Sequence, residues 1–294
     1  MIKLQAMVPV DRMDDLETYF CEEVRSNWGL FQDKLENPLY VFGYFEDDTV
    51  AETAWAELKT AFPELDLTPT RETIEDRDWK EAYKAHLGPW VCEDLHWVPV
   101  WRKESYPVPE GEPVVYFDAG LAFGTGDHPT TRLMAMRLLD YRKNTPDYQG
   151  KRVIDAGCGS GILAISAHLL GFGDVLGFDR DPEAVRVSRE NLVFNGMKAD
   201  VIPFLEGGIE AVLVPRQADL ILANIQADVL GVYAECLVNA TAPGGTLAMS
   251  GILAVESEAL KAQFENVARA LRTVATVDTR VMGEWSDLCL VFAD

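Results

Sequence analysis

A doubly wound α/β domain behind a smaller α/β domain is the fold this sequence predicts, on three observations. From Arg152 onward the chain repeats strand, glycine turn, helix, strand, the alternation that builds a parallel sheet with helices on both faces. The first 75 residues read strand–helix–strand–helix–strand, the order of a ferredoxin-like sandwich with helices on one face of a sheet. The length of 294 residues, 48% hydrophobic and 25% charged, suits two globular domains better than one small one. The expected boundaries are 1–75 for the leading domain, 76–97 for a linker helix and connection, and 98–294 for the doubly wound domain.

Residues 4–10 read as a short strand. Asp11 then caps a helix whose apolar face carries Leu16, Tyr19, Phe20, Val24 and Trp28, with Gly29 as its stop. Residues 39–45 are aromatic and β-branched enough for a strand. A second helix from about Thr49 places Val50, Ala54, Trp55, Leu58 and Phe62 on one stripe, and Pro63 ends it. Residues 76–87 suit a linking helix closed by Gly88-Pro89, with Trp79 and Tyr83 on one face. Short strands follow around 98–101 and 114–117. In the second domain Val153-Ile154 leads into a turn at Gly157 and a helix from Ile162. The next strand covers 175–178, and Pro182 opens a helix that closes at Asn195-Gly196. Residues 220–223 and 246–249 are further strands, a long helix runs from about Glu256 to Leu271, and the last two strands, near Val274 and Leu288, pair antiparallel.

Lys plus Arg number 26 against 48 Asp plus Glu, a net charge of −22. Such a surface repels nucleic-acid phosphates and anionic lipid and attracts a basic partner. The excess is concentrated: residues 1–75 hold 17 acids and six basic residues, a net of −11, which suits docking of a cationic partner. No apolar run reaches the roughly 18 residues of a membrane span, and the first residues lack a signal-peptide apolar stretch, so the cytoplasm is the expected location. The five cysteines and four histidines are scattered without a CxxC pair, so neither a disulfide framework nor a metal centre is expected.

The chemistry concentrates in four segments. Val153-Ile154-Asp155-Ala156-Gly157-Cys158-Gly159-Ser160-Gly161-Ile162-Leu163 carries a strand through an acid into three alternate glycines and a helix. Glycines there let the backbone approach a ligand and are expected to present amides at the positive end of the helix. Ile162 stands where a dinucleotide fingerprint has its third Gly or Ala, which speaks against a pyrophosphate ligand. Asp179 ends the next strand, 22 residues after Gly157, and can accept hydrogen bonds from both hydroxyls of an adenosine ribose. Asp181, directly before Pro182, is the better helix cap and leaves Asp179 for the ligand. Asn224 finishes a further strand at the carboxyl edge where open α/β sheets bind ligands. Its carbonyl oxygen can hold a substrate amine with the lone pair aimed at an electrophile. Finally, residues 120–131 join a glycine loop to Asp127, His128, Pro129, Thr130 and Thr131 at the start of a helix, where a cofactor lid would sit.

Taken in order, FGTGDHPTT at 123–131, DAGCGSGIL at 155–163, the acid ending the second strand and Ala-Asn-Ile at 223–225 resemble the PrmA-type ribosomal protein methyltransferases. These belong to the class I enzymes that use S-adenosyl-L-methionine. The likeness spans nearly the whole chain, including Asp78-Trp79-Lys80, Phe204-Leu205-Glu206-Gly207 and residues 247–253. Ala119 stands where the family often has Pro. The resemblance implies a Rossmann-like seven-stranded class I methyltransferase domain joined by a mobile linker to a substrate-recognition domain. It implies methylation of lysine and N-terminal amino groups of protein eleven of the large ribosomal subunit, a basic protein substrate. By motif the cofactor positions are Thr131, Gly157, Asp179 and Asn224, with Gly159 in the same loop. Asn224 and the Ile225 backbone would align the amine; Asp127 and His128 are the candidates for its proton, with loop anchoring as the other role for His128. Gln226 and Asp228 follow the Asn motif and leave acceptor preference and the number of methyl groups open. Two other readings are carried along. One keeps the cofactor and changes the acceptor to RNA or a small-molecule amine; the acidic charge, and the lack of an aromatic in Ile225-Gln226-Ala227 to stack a base, speak against it. The other is a non-catalytic sensor of an adenosine ligand.

Overall fold

A computed structural model of the chain describes residues 2–22, 28–32, 39–73, 87–118, 128–198, 200–271 and 274–293. The expected linking helix, apart from Leu87, and the 120–127 glycine loop lie outside the described residues. The chain divides into two compact units, Met1–His86 and Leu87–Asp294.

The first unit runs β1 (Ile2–Val8), α1 (Met13–Glu22), β2 (Trp28–Gln32), β3 (Leu39–Phe45), α2 (Asp48–Ala61) and β4 (Thr70–Thr73). Its sheet order is β2-β3-β1-β4, with β3 antiparallel to both β1 and β2 and β4 antiparallel to β1. Each β-α-β connection therefore straddles one strand of the other, giving two interlocked split units. Alternate residues of β1 and β3 point inward, and Leu4, Val41 and Phe45 pack with Leu16, Trp55 and Leu58 from the helices. The indole of Trp55 donates to the Leu67 carbonyl at 3.0 Å.

Five local expectations are corrected here. β1 stops at Val8, because Pro9 cannot donate to the ladder. Asp11 lies in the 3₁₀ turn Val10–Arg12 that precedes α1, not at a helix cap. Trp28 and Gly29 belong to β2, not to the helix; a Cβ on Gly29 would come within 2.5 Å of the Phe42 ring, so this glycine makes room for an aromatic and stops nothing. The buried stripe of α2 is Ala51, Trp55 and Leu58, while Val50 is 44% exposed. The helix starts one residue earlier than expected, capped by the Asp47 carboxylate, which accepts from the Val50 N–H at 2.9 Å.

The second unit begins with β5 (Trp90–Cys92), β6 (Leu95–Pro99) and β7 (Val114–Phe117), a small sheet of its own. Residues 90–97, expected in a connection, thus form strands of the larger unit. Then follow α3 (Pro129–Asn144), β8 (Arg152–Ala156), α4 (Ile162–Leu169), β9 (Asp174–Asp179), α5 (Pro182–Phe194), β10 (Phe204–Glu206) and α6 (Ile209–Leu213). The chain continues through β11 (Ala218–Asn224), α7 (Ala227–Val232), α8 (Ala234–Ala240), β12 (Thr241–Leu253), α9 (Ser257–Leu271), β13 (Val274–Asp278), β14 (Val281–Met282) and β15 (Trp285–Phe292). Seven strands run in the order β10-β9-β8-β11-β12-β15-β13, and β14 adds to β15. The first five are parallel; β15 is antiparallel to β12 and β13 to β15. Both faces are covered. Val153, Leu220 and Leu222 pack on one side with Met134, Leu138 and Ile165; Ile154, Ile221 and Ala223 pack on the other with Leu237, Leu260 and Phe264. Strand order reverses between β8 and β11, so their carboxyl ends open a crevice, the usual ligand position of such sheets. Among the described residues no helix is long and apolar enough to cross a membrane.

One buried ion cluster ties α3 to the antiparallel edge. Arg137 donates from Nε and Nη2 to the two oxygens of Asp287, both at 2.7 Å, and from Nη1 to Asp278 at 2.7 Å. Asp287 is fully buried, so removing only its partner leaves a carboxylate uncompensated. Arg137→Met is expected to cost about 3–5 kcal/mol in chemical denaturation. The double variant Arg137→Met/Asp287→Leu should recover most of that loss, which compares directly in one unfolding series.

Candidate active site

Three strand ends meet at Ile225, the residue after β11. Gly157, the first residue after β8, has φ +70°, and a Cβ there would stand 2.5 Å from Ile225 Cγ2. Gly251, within β12, has φ +87°, and its Cβ would stand 2.3 Å from the Ile225 carbonyl oxygen. The Ile225 N–H donates to the Ser250 carbonyl at 3.1 Å. Only glycine satisfies both the conformation and the contact at these two positions. The result is a fixed orientation for Asn224, the last residue of β11.

The glycine turn is organised differently from the sequence expectation. Four of its amides are bonded within the protein. Gly157 and Cys158 donate to the Phe178 carbonyl at 2.9 Å each, Gly159 donates to Asp179 Oδ2 at 3.0 Å, and Gly161 donates to the Cys158 carbonyl at 2.7 Å. The turn is thus stapled to the end of β9, and these four donors are used before any anion arrives. The other Asp179 oxygen accepts from the Asp181 N–H at 3.0 Å, while Asp181 caps α5 through the Glu183 N–H at 2.9 Å. Held this way, the Asp179 carboxylate retains lone pairs for two hydroxyl donors. Asn191 joins the turn to the segment after β7: its Nδ2 donates to the carbonyls of Ser160 and Asp118 at 2.8 and 3.0 Å, and its Oδ1 accepts from the Asp118 N–H at 2.9 Å.

A cavity of about 490 Å³ opens over this edge. From the β8–β10 side it is lined by Gly157, Gly159, Asp179, Arg180, Gly207 and Ile209; from the other side by Asn224, Ile225, Gln226, Tyr233 and Trp285, with Thr130 from α3. Among the described residues Asn224 Oδ1 is buried without a hydrogen-bond partner, while its Nδ2 lies 3.5 Å from Thr131 Oγ1. Thr131 is fully buried behind it, and Thr130 is the threonine that lines the cavity. His128 is the N-cap of α3: its Nδ1 accepts from the Thr130 hydroxyl at 2.8 Å and from the Thr130 N–H at 3.4 Å. Its half-buried ring meets Trp285 edge-on at 4.8 Å. Burial pulls its pKa below the usual histidine value, against a weaker opposite pull from Glu284. Asp127 lies outside the described residues.

The structure thus brings Gly157, Gly159, Asp179 and Asn224 to one cavity and sets Thr131 and His128 immediately behind it. Sequence reasoning missed Tyr233, Gly251 and Trp285, while Thr130, read beside Thr131 as a hydroxyl in the first turn of the helix, lines the cavity where Thr131 was expected. Tyr233 and Trp285 also supply the aromatic wall that the residues directly after Asn224 lack. Gly251 alone had a legible signal, a glycine breaking an apolar strand.

The chain from residue 12 to 292 matches the family model described as ribosomal protein L11 methyltransferase (PrmA). The chain belongs to the PrmA family. A ribosomal protein L11 methyltransferase of Pelobacter propionicus is 33% identical over 97% of this chain and 95% of that protein. The Neisseria meningitidis serogroup B protein of the same name is 41% identical over 70% of this chain and 67% of its own length. The crystal structure of ribosomal protein L11 methylase from Lactobacillus delbrueckii subsp. bulgaricus superposes with a TM-score of 0.59 at 28% identity, covering 70% of this chain and all of that one. This PrmA-family chain therefore has the class I methyltransferase sheet order, with the switch-point cavity built from its motif residues.

Asp155 stands directly beneath the turn. It is fully buried, its Oδ2 accepts the Ala164 N–H at 3.0 Å, and burial pushes its pKa up to about 7 against the pull of that N–H, with Asp179 adding repulsion. The native state thus binds a proton there that the unfolded chain has already lost above about pH 4. Asp155 therefore favours folding most below that pH, and the contribution is lost as pH rises to about 7. Asp155→Asn, uncharged throughout, is expected to gain stability relative to the parent between pH 4 and 7, by at most about 1.4 kcal/mol per pH unit, in urea titrations across that range. Gly251→Ala is expected to displace Ile225 and lower affinity for the cavity's ligand at least tenfold, measured by calorimetry.

Proposed function

We propose that the chain transfers methyl groups from S-adenosyl-L-methionine to lysine and N-terminal amino groups of ribosomal protein L11, in the cytoplasm. The observation that carries this reading is the buried Asn224 Oδ1, without a partner among the described residues, in a cavity whose opposite wall offers the Asp179 carboxylate. An orphaned buried acceptor calls for a donor from a ligand, and an amine N–H supplies one. The residues also fit the cofactor: Asp179 would hold the ribose hydroxyls, and Gly157 and Gly159 would leave room for its body. A turn whose amides are already bonded suits a sugar and a base better than a phosphate. The names of the PrmA relatives support L11 as the protein acceptor.

S-adenosyl-L-methionine, when bound, supplies a methyl group already activated on a sulfonium. The chain's own residues have to deliver a neutral amine. Ile225, Tyr233 and Trp285 give that side of the cavity an apolar character, which disfavours the ammonium form of a lysine, whose pKa in water is about 10.4. Asn224 Oδ1 accepts one N–H and thereby directs the lone pair; as an amide it takes no proton. Thr131 faces the Asn224 amide nitrogen, and so leaves Oδ1 for the substrate. His128 acts by capping α3 and bracing Trp285. The −11 of residues 1–75 marks that segment as the domain that recognises a basic substrate.

Calorimetry should show S-adenosyl-L-methionine binding one site per chain; no binding would remove this reading. Asn224→Ala is expected to lower kcat/KM for L11 on the order of 10²-fold in a radiolabelled transfer assay. Raising ionic strength from about 0.05 to 0.3 M should lower kcat/KM for L11 several-fold while cofactor affinity changes little.

A further inference from the structure

We propose that Ser188 and Asn191, two polar side chains on the buried face of α5, are positioning residues for the cofactor. The inference rests on the reading of S-adenosyl-L-methionine as that cofactor. Both residues are fully buried, on the stripe of α5 that begins at Ala184. A helix face turned to the core is ordinarily apolar, and a polar group placed there needs a partner. The partners lie in the glycine turn. Ser188 Oγ donates to the Gly159 carbonyl and Asn191 Nδ2 to the Ser160 carbonyl, each at 2.8 Å. Asn191 also pairs with Asp118 in both directions, as a neighbouring strand would: its Oδ1 accepts the Asp118 N–H at 2.9 Å and its Nδ2 donates to the Asp118 carbonyl at 3.0 Å.

Gly159 is therefore held at both of its polar groups, its N–H by Asp179 Oδ2 and its carbonyl by Ser188. Gly159 and Asp179 both line the cavity. The turn's amides are spent on the end of β9, and two successive carbonyls are spent on α5. Held from both sides, the turn has its ligand-ready shape before a ligand arrives, and little reorganisation opposes binding. Removing either α5 bond leaves a turn carbonyl without that donor, loosens Gly159, and with it the placement of the Asp179 carboxylate. Asn224 is carried by β11 and receives neither bond, so the loss falls on cofactor affinity before it falls on the alignment of the amine. Asn195 supplies an internal comparison. One turn along the helix, its Oδ1 accepts the Tyr116 N–H at 2.8 Å and its Nδ2 donates to the Tyr116 carbonyl at 2.6 Å. This is the pairing that Asn191 makes with Asp118, and its printed bonds go to Tyr116 and Asn191, not to the turn.

The test compares the full-length parent with Ser188→Ala, Asn191→Leu and Asn195→Leu. Each is followed by thermal unfolding, by calorimetric titration with S-adenosylhomocysteine, and by steady-state transfer to recombinant L11 as S-adenosyl-L-methionine is varied. All three variants are expected to lower Tm. The Kd for S-adenosylhomocysteine is expected to rise about three- to tenfold in Ser188→Ala and at least about tenfold in Asn191→Leu, and to stay within about twofold of the parent in Asn195→Leu. KM for S-adenosyl-L-methionine rises by similar factors in the first two, with a smaller fall in kcat. A purely structural role would reduce the active fraction instead, lowering kcat with KM and Kd unchanged, and that pattern overturns the inference. An equal rise in Kd for Asn191→Leu and Asn195→Leu overturns it too. If Asn191→Leu does not fold, Ser188→Ala decides alone, and a parental Kd there is the overturning result. A folded parent that does not bind S-adenosylhomocysteine overturns the cofactor reading itself, and this inference falls with it.

Discussion

The wedging of Ile225 between Gly157 and Gly251 sets the geometry of everything at the carboxyl edge of the sheet. Three adjacent strands, β8, β11 and β12, carry these residues at or near their carboxyl ends. Two positive-φ glycines allow backbone and side chain to close to distances that any Cβ would forbid. The sheet could form without this contact, since its ladders and its two apolar faces are independent of it. The cavity could not keep its shape. Asn224 precedes Ile225 and inherits its orientation from that fixed point, and the turn that carries Gly159 to Asp179 begins at Gly157. Packing at one apolar residue is thus translated into the placement of two polar groups on opposite walls.

The fold was legible wherever hydrophobic period and turn chemistry agreed. The α5 helix shows this: Asp181 as cap, Pro182 at the first turn and Asn195-Gly196 at the close all read directly, because each is a local signal with a local cause. Four of the five parallel strands read equally well as short apolar runs between glycine turns, while the three-residue β10 did not. What failed was non-local. Gly29 reads as a helix stop until Phe42 is known to lie against it. β2 lies beside β3 in a register no local pattern announces, and the α2 stripe is set by where Trp55 meets the sheet. At the site, Asp179 and Asn224 were visible because their position at strand ends is itself the signal. Trp285 and Tyr233 were not, since an aromatic in a terminal strand or a short helix reads as core until the strand order places β15 beside β12.

The glycine turn illustrates how one motif can serve ligands of different charge. With free amides, a strand–turn–helix corner is an anion site. Here the corner's amides are turned to the Phe178 carbonyl and the Asp179 carboxylate, and Asp155 beneath it is buried with its pKa raised. A phosphate would meet the Asp179 carboxylate and a turn with four of its amides already bonded. A ligand of hydroxyls would meet acceptors. The same reasoning accounts for the spacing between Gly157 and Asp179: the acid has to return to the turn to staple it, and in doing so it comes to the wall where a sugar would lie.

The two polar walls are finished to different degrees, and the difference has a physical logic. Asp179 is satisfied by two backbone amides before any ligand binds, so the ligand adds bonds to a group already in place and little reorganisation opposes it. Asn224 Oδ1 is buried and unsatisfied among the described residues, a state that costs on the order of 1–3 kcal/mol. That cost is tolerated because the surrounding structure over-determines the residue: Ile225 fixes its backbone and Thr131 faces its amide nitrogen. An acceptor held in this way cannot relax toward water or another side chain. Its unmet bond is available only to a donor that reaches the cavity, which places the destabilising element of the fold at the position where an amine would be aligned.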